Sequence, residues 1–149
     1  MKSQQKTIRL EECILLDENQ VVKCVCDYLK DNNYEIEQSL FTDEKGYDII
    51  ANKDGKKLII EAKGATSSKP GSKRFEKGFN WNQVRSHVAV ALYAAGQVIN
   101  SNPEYEVGIA LPYNKQHIRA VNEIQRLIVL LKIKIYWVCS DGKVTVDIN

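Results

Sequence analysis

Two segments carry apolar residues at the three- and four-residue spacing of an amphipathic helix. In residues 18–33 the apolar line follows Asp17, a good N-cap, and Gln20 stands three residues later to complete a capping box. Asn80 and Gln83 repeat this arrangement before the second segment. The sequence therefore predicts two capped helices. Their apolar lines run through Val22, Val25 and Leu29 in the first and through Val84, Val88, Ala91, Leu92 and Ala95 in the second.

The stretch between these helices has the pattern of β-strands. Residues 34–40 alternate apolar and polar side chains, and residues 47–52 and 57–63 are rich in isoleucine. Asp54 and Gly55 lie between the last two runs, and an Asp-Gly pair in that position is the strongest short-range signal for a two-residue hairpin turn. Three consecutive strands are therefore predicted, with the second and third joined as a hairpin.

The remaining chain adds further alternation of strands and helix. Strands are predicted over residues 105–111, 133–139 and 143–148, and a third helix opens at Asn114. The order α-β-β-β-α-β-α-β-β indicates a single α/β domain over residues 1–149, with helices packed on a mixed sheet. The apolar face of the third helix is formed by Val121, Ile124, Ile128 and Leu131.

Composition agrees with one globular domain. Of the 149 residues, 44% are hydrophobic and 27% charged, which excludes a long disordered or fibrous chain. The longest apolar run, residues 88–95, is far shorter than the roughly 18 residues that cross a bilayer. Residues 1–6 are too polar for a secretory signal. We therefore expect a cytoplasmic protein that does not enter a membrane.

Positive charge is concentrated in one part of the chain. The formal net charge is only +2, but between Lys63 and Arg85 six basic residues accompany a single acidic one. Residues 64–79 lack apolar periodicity and are long for a connection, so we expect a loop that is mobile in the free protein and closes over nucleic acid. The alternative is a solvated charged loop. The residues expected to contact nucleic acid are Lys69, Lys73, Arg74 and Lys77 in the loop, and Arg85 and His87 in the helix that follows.

The predicted hairpin brings three charged side chains together. With a turn at Asp54 and Gly55, Asp48 lies directly opposite Glu61, and opposed side chains share a face with Cβ atoms about 4.5–5.5 Å apart. The strand period of two puts Lys63 on the same face. Facing carboxylates repel, so a cation must offset them, and hard oxygen ligands suit Mg²⁺ or Mn²⁺. The alternative is structural, with Asp48 paired to Lys63 and Glu61 solvated.

The sequences Gly-Tyr-Asp at residues 46–48 and Glu-Ala-Lys-Gly at residues 61–64, separated by a hairpin, resemble the PD-(D/E)xK nuclease superfamily. The resemblance covers about residues 17–111 and implies a restriction-endonuclease-like αβββαβ core, to which residues 112–149 add a helix and a β-hairpin. It also implies the roles of the site residues: two metal-holding carboxylates, Asp48 and Glu61, and a lysine that assists the attacking water, Lys63.

Two further positions match this superfamily. Members similar to Holliday-junction resolvases carry another glutamate on the first helix, and Glu18 corresponds to it as a further catalytic residue and metal ligand. Gln83 resembles the catalytic glutamine or basic residue found on the helix after the strand that carries the glutamate and lysine. The alternative for Glu18 is a first-turn acid favoured by the helix dipole. His117, near the start of the third helix, is expected to be a packed or solvated residue.

These features predict a Mg²⁺-dependent endonuclease, with Mn²⁺ as a substitute, that hydrolyses phosphodiester bonds of DNA through a metal-activated water. RNA is the alternative substrate. The alternative function is a non-catalytic nucleic-acid-binding or assembly subunit that has kept the fold. The resemblance also implies a homodimer, because resolvase-like and restriction-like members usually act as dimers to cut two strands.

Overall fold

The computed structural model describes residues 15–40, 46–67 and 78–147, and within them six strands form one sheet with four helices around it. In chain order the elements are α1 (Glu18–Asp31), β1 (Glu35–Ser39), β2 (Ile49–Lys53), β3 (Lys56–Ala62), α2 (Trp81–Ser101), β4 (Glu106–Pro112), α3 (Lys115–Glu123), α4 (Gln125–Leu130), β5 (Lys134–Val138) and β6 (Val144–Asp147). None of these helices is long and apolar enough to cross a membrane.

The strands lie in the sheet in the same order as in the chain, β1 to β6. β1, β2 and β3 are antiparallel neighbours, β3, β4 and β5 are parallel to one another, and β6 returns antiparallel to β5. The sheet is therefore mixed, as predicted. Because β3, β4 and β5 are parallel, their carboxyl ends meet at one edge of the sheet, which we call the carboxyl edge.

The turn between β2 and β3 has the predicted form. Asp54 and Gly55 both have positive φ, 52° and 76°, the conformation of a two-residue type I′ turn. Lys53 pairs with Lys56, and the ladder continues in step to the pair of Ile49 with Ile60. The predicted register is therefore confirmed.

Different helices cover the two faces of the sheet. α1 packs its buried Leu29 on the face that carries Leu58 and Ile60, whereas α2, α3 and α4 pack on the face that carries Ile59. Because side chains alternate along a strand, Glu61 lies on the α2 side of β3, like Ile59. The α2 face at the carboxyl edge is therefore where the charged residues of the hairpin lie.

The prediction of one continuous third helix is wrong. It is broken at Ile124, whose φ of −124° and ψ of 19° leave the helical region and separate α3 from α4. Val121 and Ile128, one on each side of the break, are both buried, and Ile124 packs against the same core. Leu131, predicted on the apolar face, is exposed instead. Core packing thus overrides the helical periodicity in this segment.

Close packing of β4 and β5 depends on a glycine. A Cβ at Gly108 would lie 2.6 Å from Cε2 of Tyr136 and 3.3 Å from Cγ1 of Ile60. Tyr136 is buried in the α1 layer and contacts Tyr28 edge to face, with ring centroids 6.3 Å apart. The absent side chain at Gly108 therefore leaves the space that the tyrosine ring fills.

Candidate active site

Asp48 and Glu61 meet where the β2–β3 hairpin reaches the carboxyl edge. Asp48 precedes β2, and one further step along the ladder from Ile49 and Ile60 sets it against Glu61. Oδ2 of Asp48 accepts a hydrogen bond from the backbone N–H of Ala62 at 2.7 Å, and the carboxyl groups of Asp48 and Glu61 are hydrogen-bonded to each other. The two side chains predicted to converge are therefore in contact.

Burial and mutual repulsion control the protonation of this pair. Desolvation and the charge of Asp48 raise the pKa of Glu61 to about 7, although Lys63 acts in the opposite direction. Desolvation also raises the pKa of Asp48, while the Ala62 N–H and Lys63 favour its charged form. The pair therefore holds a proton to higher pH than separate carboxyl groups would, and in the protonated state Glu61 donates to Asp48. A bound cation would stabilise both carboxylates in their charged form.

Lys63 and Glu18 reach the site through close backbone contacts. The N–H of Lys63 donates to the carbonyl of Ala110 in β4 at 3.0 Å. Beyond it, Gly64 lies so close to α1 that an added Cβ would be 2.7 Å from the carbonyl carbon of Asp17. The glycine therefore lets the start of α1, with Glu18 as its first residue, lie directly beside the strand that carries Glu61.

A short parallel pairing holds this contact in place. Asp17 forms an isolated bridge with Thr66, and the N–H of Ala65 donates to the carbonyl of Leu16 at 2.7 Å. Glu18 consequently lies among the charges of the site: burial raises its pKa, Asp48 adds to the effect, and Lys63 opposes it. The structure thus brings together four predicted residues, Asp48, Glu61, Lys63 and Glu18.

The chemistry of the carboxyl pair fits a hard divalent cation. Mg²⁺ is commonly held by one or two carboxylates and keeps several of its waters, and Asp48 and Glu61 supply such a pair. Among the described residues no group of three or more His, Cys, Asp or Glu side chains is placed to hold a metal ion. Asp48 and Glu61 would therefore be the main protein ligands, and a metal-ligand role for Glu18 stays a prediction.

The N-terminal half of α2 lies beside Lys63. The predicted capping box is present, because Asn80 accepts from the N–H of Gln83 and Oε1 of Gln83 accepts from the N–H of Asn80, both at 2.9 Å. The side-chain oxygen of Gln83 thus stabilises the start of the helix, and its catalytic role stays a prediction. One turn later His87 packs edge to face on Phe79, with ring centroids 4.6 Å apart. Burial and the charge of Lys63 lower the pKa of His87, which favours the neutral ring.

His117 is a buried polar residue for which the sequence indicates no functional role. It has no exposed surface, and its Nδ1 lies 2.8 Å from Oδ1 of Asn114, which also accepts from the His117 backbone N–H. Burial, with a smaller contribution from the charge of His87, lowers the pKa of His117 to about 4. Within the described chain, Nε2 of His117 and Nδ1 of His87 have no hydrogen-bond partner. The Asn-x-x-His spacing was the only sequence signal for this residue.

The remaining predicted contacts to nucleic acid divide into two groups. Arg85 is exposed near the start of α2. Most of the predicted loop, residues 68–77, lies outside the described residues. This part contains the loop cations Lys69, Lys73, Arg74 and Lys77, whose contacts to nucleic acid stay predictions.

No protein-family model matches this sequence, and no curated protein matches it either. Among solved structures the chain is similar to an XisH family protein from Nostoc punctiforme and to an fdxN element excision controlling factor protein from Anabaena variabilis. Each is 17% identical, with a TM-score of 0.50, and the match covers 89% of this chain and 98% of the other. Similarity at this identity shows a shared fold. The predicted α/β fold, with an αβββαβ core and a mixed sheet, is confirmed.

Proposed function

We propose that the protein is a divalent-metal-dependent endonuclease that hydrolyses DNA phosphodiester bonds. The observation that carries this proposal is the half-buried Asp48–Glu61 carboxyl pair, with Lys63 and Glu18 within electrostatic range. Charged groups on a buried strand destabilise a fold unless they serve a site. The raised pKa of both carboxyls supports this proposal, because a bound cation would offset the cost of keeping the two groups charged.

Each side chain has a distinct role in this proposal. Mg²⁺, when bound, would supply Lewis-acid stabilisation of the phosphodiester and lower the pKa of the attacking water. Asp48 and Glu61 hold the cation, and the Ala62 N–H fixes the orientation of the Asp48 carboxylate. Lys63 orients the attacking water and stabilises the negative charge that develops on the phosphate oxygens. Glu18 is a further carboxylate of the site, available as a metal ligand or as a proton acceptor.

A second candidate is a non-catalytic subunit that binds DNA and controls its processing. It is favoured by the name of one structural relative, which is an excision controlling factor protein. This candidate predicts DNA affinity without any metal-dependent change in the DNA, and without a requirement for Asp48.

Cleavage assays separate the two candidates. Purified protein is incubated with plasmid, branched and single-stranded DNA in Mg²⁺, Mn²⁺ or EDTA, and a matched RNA tests the alternative substrate. We expect cleavage in Mg²⁺ or Mn²⁺ only, and a loss of at least about a hundredfold for D48A and K63A. Matched controls are D31A and K23A on exposed positions of α1, which should cleave normally. Cleavage that persists in D48A would reveal a contaminating nuclease. DNA binding without cleavage by any metal would establish the second candidate.

A further inference from the structure

A large cavity opens at the carboxyl edge of the sheet, next to the candidate active site. Its volume is about 810 Å³, within the range of small-molecule sites. Residues that follow all three parallel strands line it: Ala65 after β3, Tyr113 after β4 and Ser140 after β5. In open α/β sheets, ligands bind in the crevice outside the carboxyl ends of the strands. The cavity therefore occupies the place where this architecture holds ligands.

The cavity shares a wall with the active site. Leu16 and Ala65 line it and are hydrogen-bonded to each other. Leu16 is two residues before Glu18, and Ala65 is two residues after Lys63, so each wall residue is within about 7 Å of a site residue along the chain. Phe79, also in the wall, packs on His87 beside Lys63. A ligand in this cavity would therefore lie near Glu18 and Lys63, on the Lys63 side of the candidate active site.

The lining combines flat aromatic surface with hydrogen-bonding groups. Phe79 and Tyr113 supply rings, and the Tyr113 side chain is exposed at the rim. Asn114, Gln116 and Ser140 supply amide and hydroxyl groups. Most of the remaining lining is aliphatic. Such a surface suits a planar heteroaromatic ring, which stacks on aromatic side chains and forms hydrogen bonds at its edge.

The charge around the cavity favours an anionic ligand. No Asp or Glu is among the described residues that line it, and Lys115 is present. α3 begins at Lys115, so the positive end of its dipole and its first N–H groups lie at the cavity. A nucleotide, whose planar base is joined through a sugar to a phosphate, matches both the aromatic lining and the positive charge.

We propose that this cavity receives the base of an unpaired nucleotide that adjoins the phosphate to be cleaved. The inference rests on the proposed endonuclease function and specifies its substrate. A base within a duplex is stacked and paired, so only a nucleotide at a bulge, branch or single-stranded segment can enter without the cost of unpairing. The protein should therefore prefer DNA that carries an unpaired base next to the cleaved bond.

The test compares two oligonucleotide duplexes that differ by one base. One carries a single unpaired adenine, the other an abasic site at the same position, and dissociation constants are measured by fluorescence anisotropy in EDTA, so that no cleavage occurs. We expect the wild-type protein to bind the unpaired adenine about tenfold more tightly than the abasic site, as base stacking on an aromatic side chain predicts. This preference should disappear in Y113A, which removes the rim ring, and in S140W, which fills the cavity.

Matched controls and a free-nucleotide arm complete the test. Y93A removes another exposed tyrosine, which lies on α2 outside the cavity, and should keep the preference. Thermal unfolding of each variant verifies that it folds. Equal wild-type affinity for the adenine and the abasic duplex would overturn the inference. So would saturable binding of free deoxyadenosine monophosphate without the strand preference, which would indicate a site for a free nucleotide.

Cleavage of the same two duplexes in Mg²⁺ separates the inference from the proposed function. If the protein binds both duplexes with equal affinity and cleaves both, the endonuclease function is supported and the base pocket is refuted. If the protein prefers the unpaired adenine but cleaves neither duplex, the pocket is supported and the endonuclease function is refuted. Preference together with cleavage next to the unpaired nucleotide supports both.

Discussion

Gly64 lies against the backbone of Glu18, so closely that a Cβ at residue 64 would overlap the first turn of α1. This contact joins the strand that carries Glu61 and Lys63 to the helix that carries Glu18. The four charged groups of the candidate active site come from three separate segments of the chain, and this glycine is where two of those segments meet.

The first prediction concerns this contact. G64A should displace the start of α1 and reduce cleavage strongly, and overpacking of this kind lowers the free energy of unfolding by about 1–3 kcal/mol. The measurements are urea unfolding and the cleavage rate in Mg²⁺. G96A is the matched control: a Cβ at Gly96 of α2 would meet no atom within 4 Å, so this helical substitution should stabilise the protein by about 0.5–1 kcal/mol. Wild-type activity and stability in G64A would contradict the role given to the contact.

The second prediction is a pH dependence that originates at Glu61. The pKa of Glu61 in the folded protein, about 7, lies above its ordinary value of 4.5. Between these two pH values Glu61 has lost its proton in the unfolded chain but keeps it in the folded chain. Stability from this group is therefore complete below about pH 4.5 and is lost as pH rises through 7. Other carboxyl groups also make stability depend on pH, and comparison with E61Q cancels their contribution. The measurement is therefore the difference in melting temperature between wild type and E61Q across pH 5 to 8 in EDTA. We expect E61Q to become relatively more stable with rising pH, and parallel curves would refute this assignment.

The third prediction tests the packing between β4 and β5. G108A places a methyl group against the Tyr136 ring and Ile60 in a fully packed layer. The free energy of unfolding should therefore fall by about 1–3 kcal/mol. The affected layer faces α1, on the opposite side of the sheet from Glu61, so the cleavage rate per folded molecule should stay at the wild-type value. Urea unfolding and an activity assay below the transition measure the two effects. A large loss of activity in fully folded G108A would show that the two faces are coupled.

The fourth prediction concerns the basic loop. Replacing Lys69, Lys73, Arg74 and Lys77 with alanine should weaken DNA binding and flatten its salt dependence. The logarithmic slope should fall by up to about 0.9 for each duplex phosphate that the loop no longer neutralises. Cleavage at saturating DNA should continue, because no proposed metal ligand is changed. The matched control replaces Lys23 and Lys30 of α1, both exposed. An unchanged salt dependence of binding would show that the loop does not contact the DNA phosphates.

Much of the candidate site could be predicted because one local turn determines it. Asp54 and Gly55 set the register of β2 against β3, and that register alone brings Asp48 to Glu61. The contact of Gly64 with α1 could not be predicted in this way, because it joins residues distant in sequence and leaves no periodic signal.

The helix break at Ile124 and the burial of His117 have the same kind of origin. Both depend on how α3 and α4 fit against α2 and the sheet, and helical spacing alone favours one straight helix. Local chemistry thus determines the hairpin and both capping boxes, whereas tertiary packing determines where the helix ends and which histidine is enclosed.

The Asp54–Gly55 turn also limits how this protein can change in evolution. It lies at the end of the hairpin away from the candidate active site, yet it sets which side chains of β2 face α2. Inserting or deleting one residue there would shift the pairing by one and exchange the two faces of the strand, so that Asp48 would turn away from Glu61. A substitution that accepts positive φ would keep the turn, but a change of length by a single residue would separate the carboxyl pair in one step.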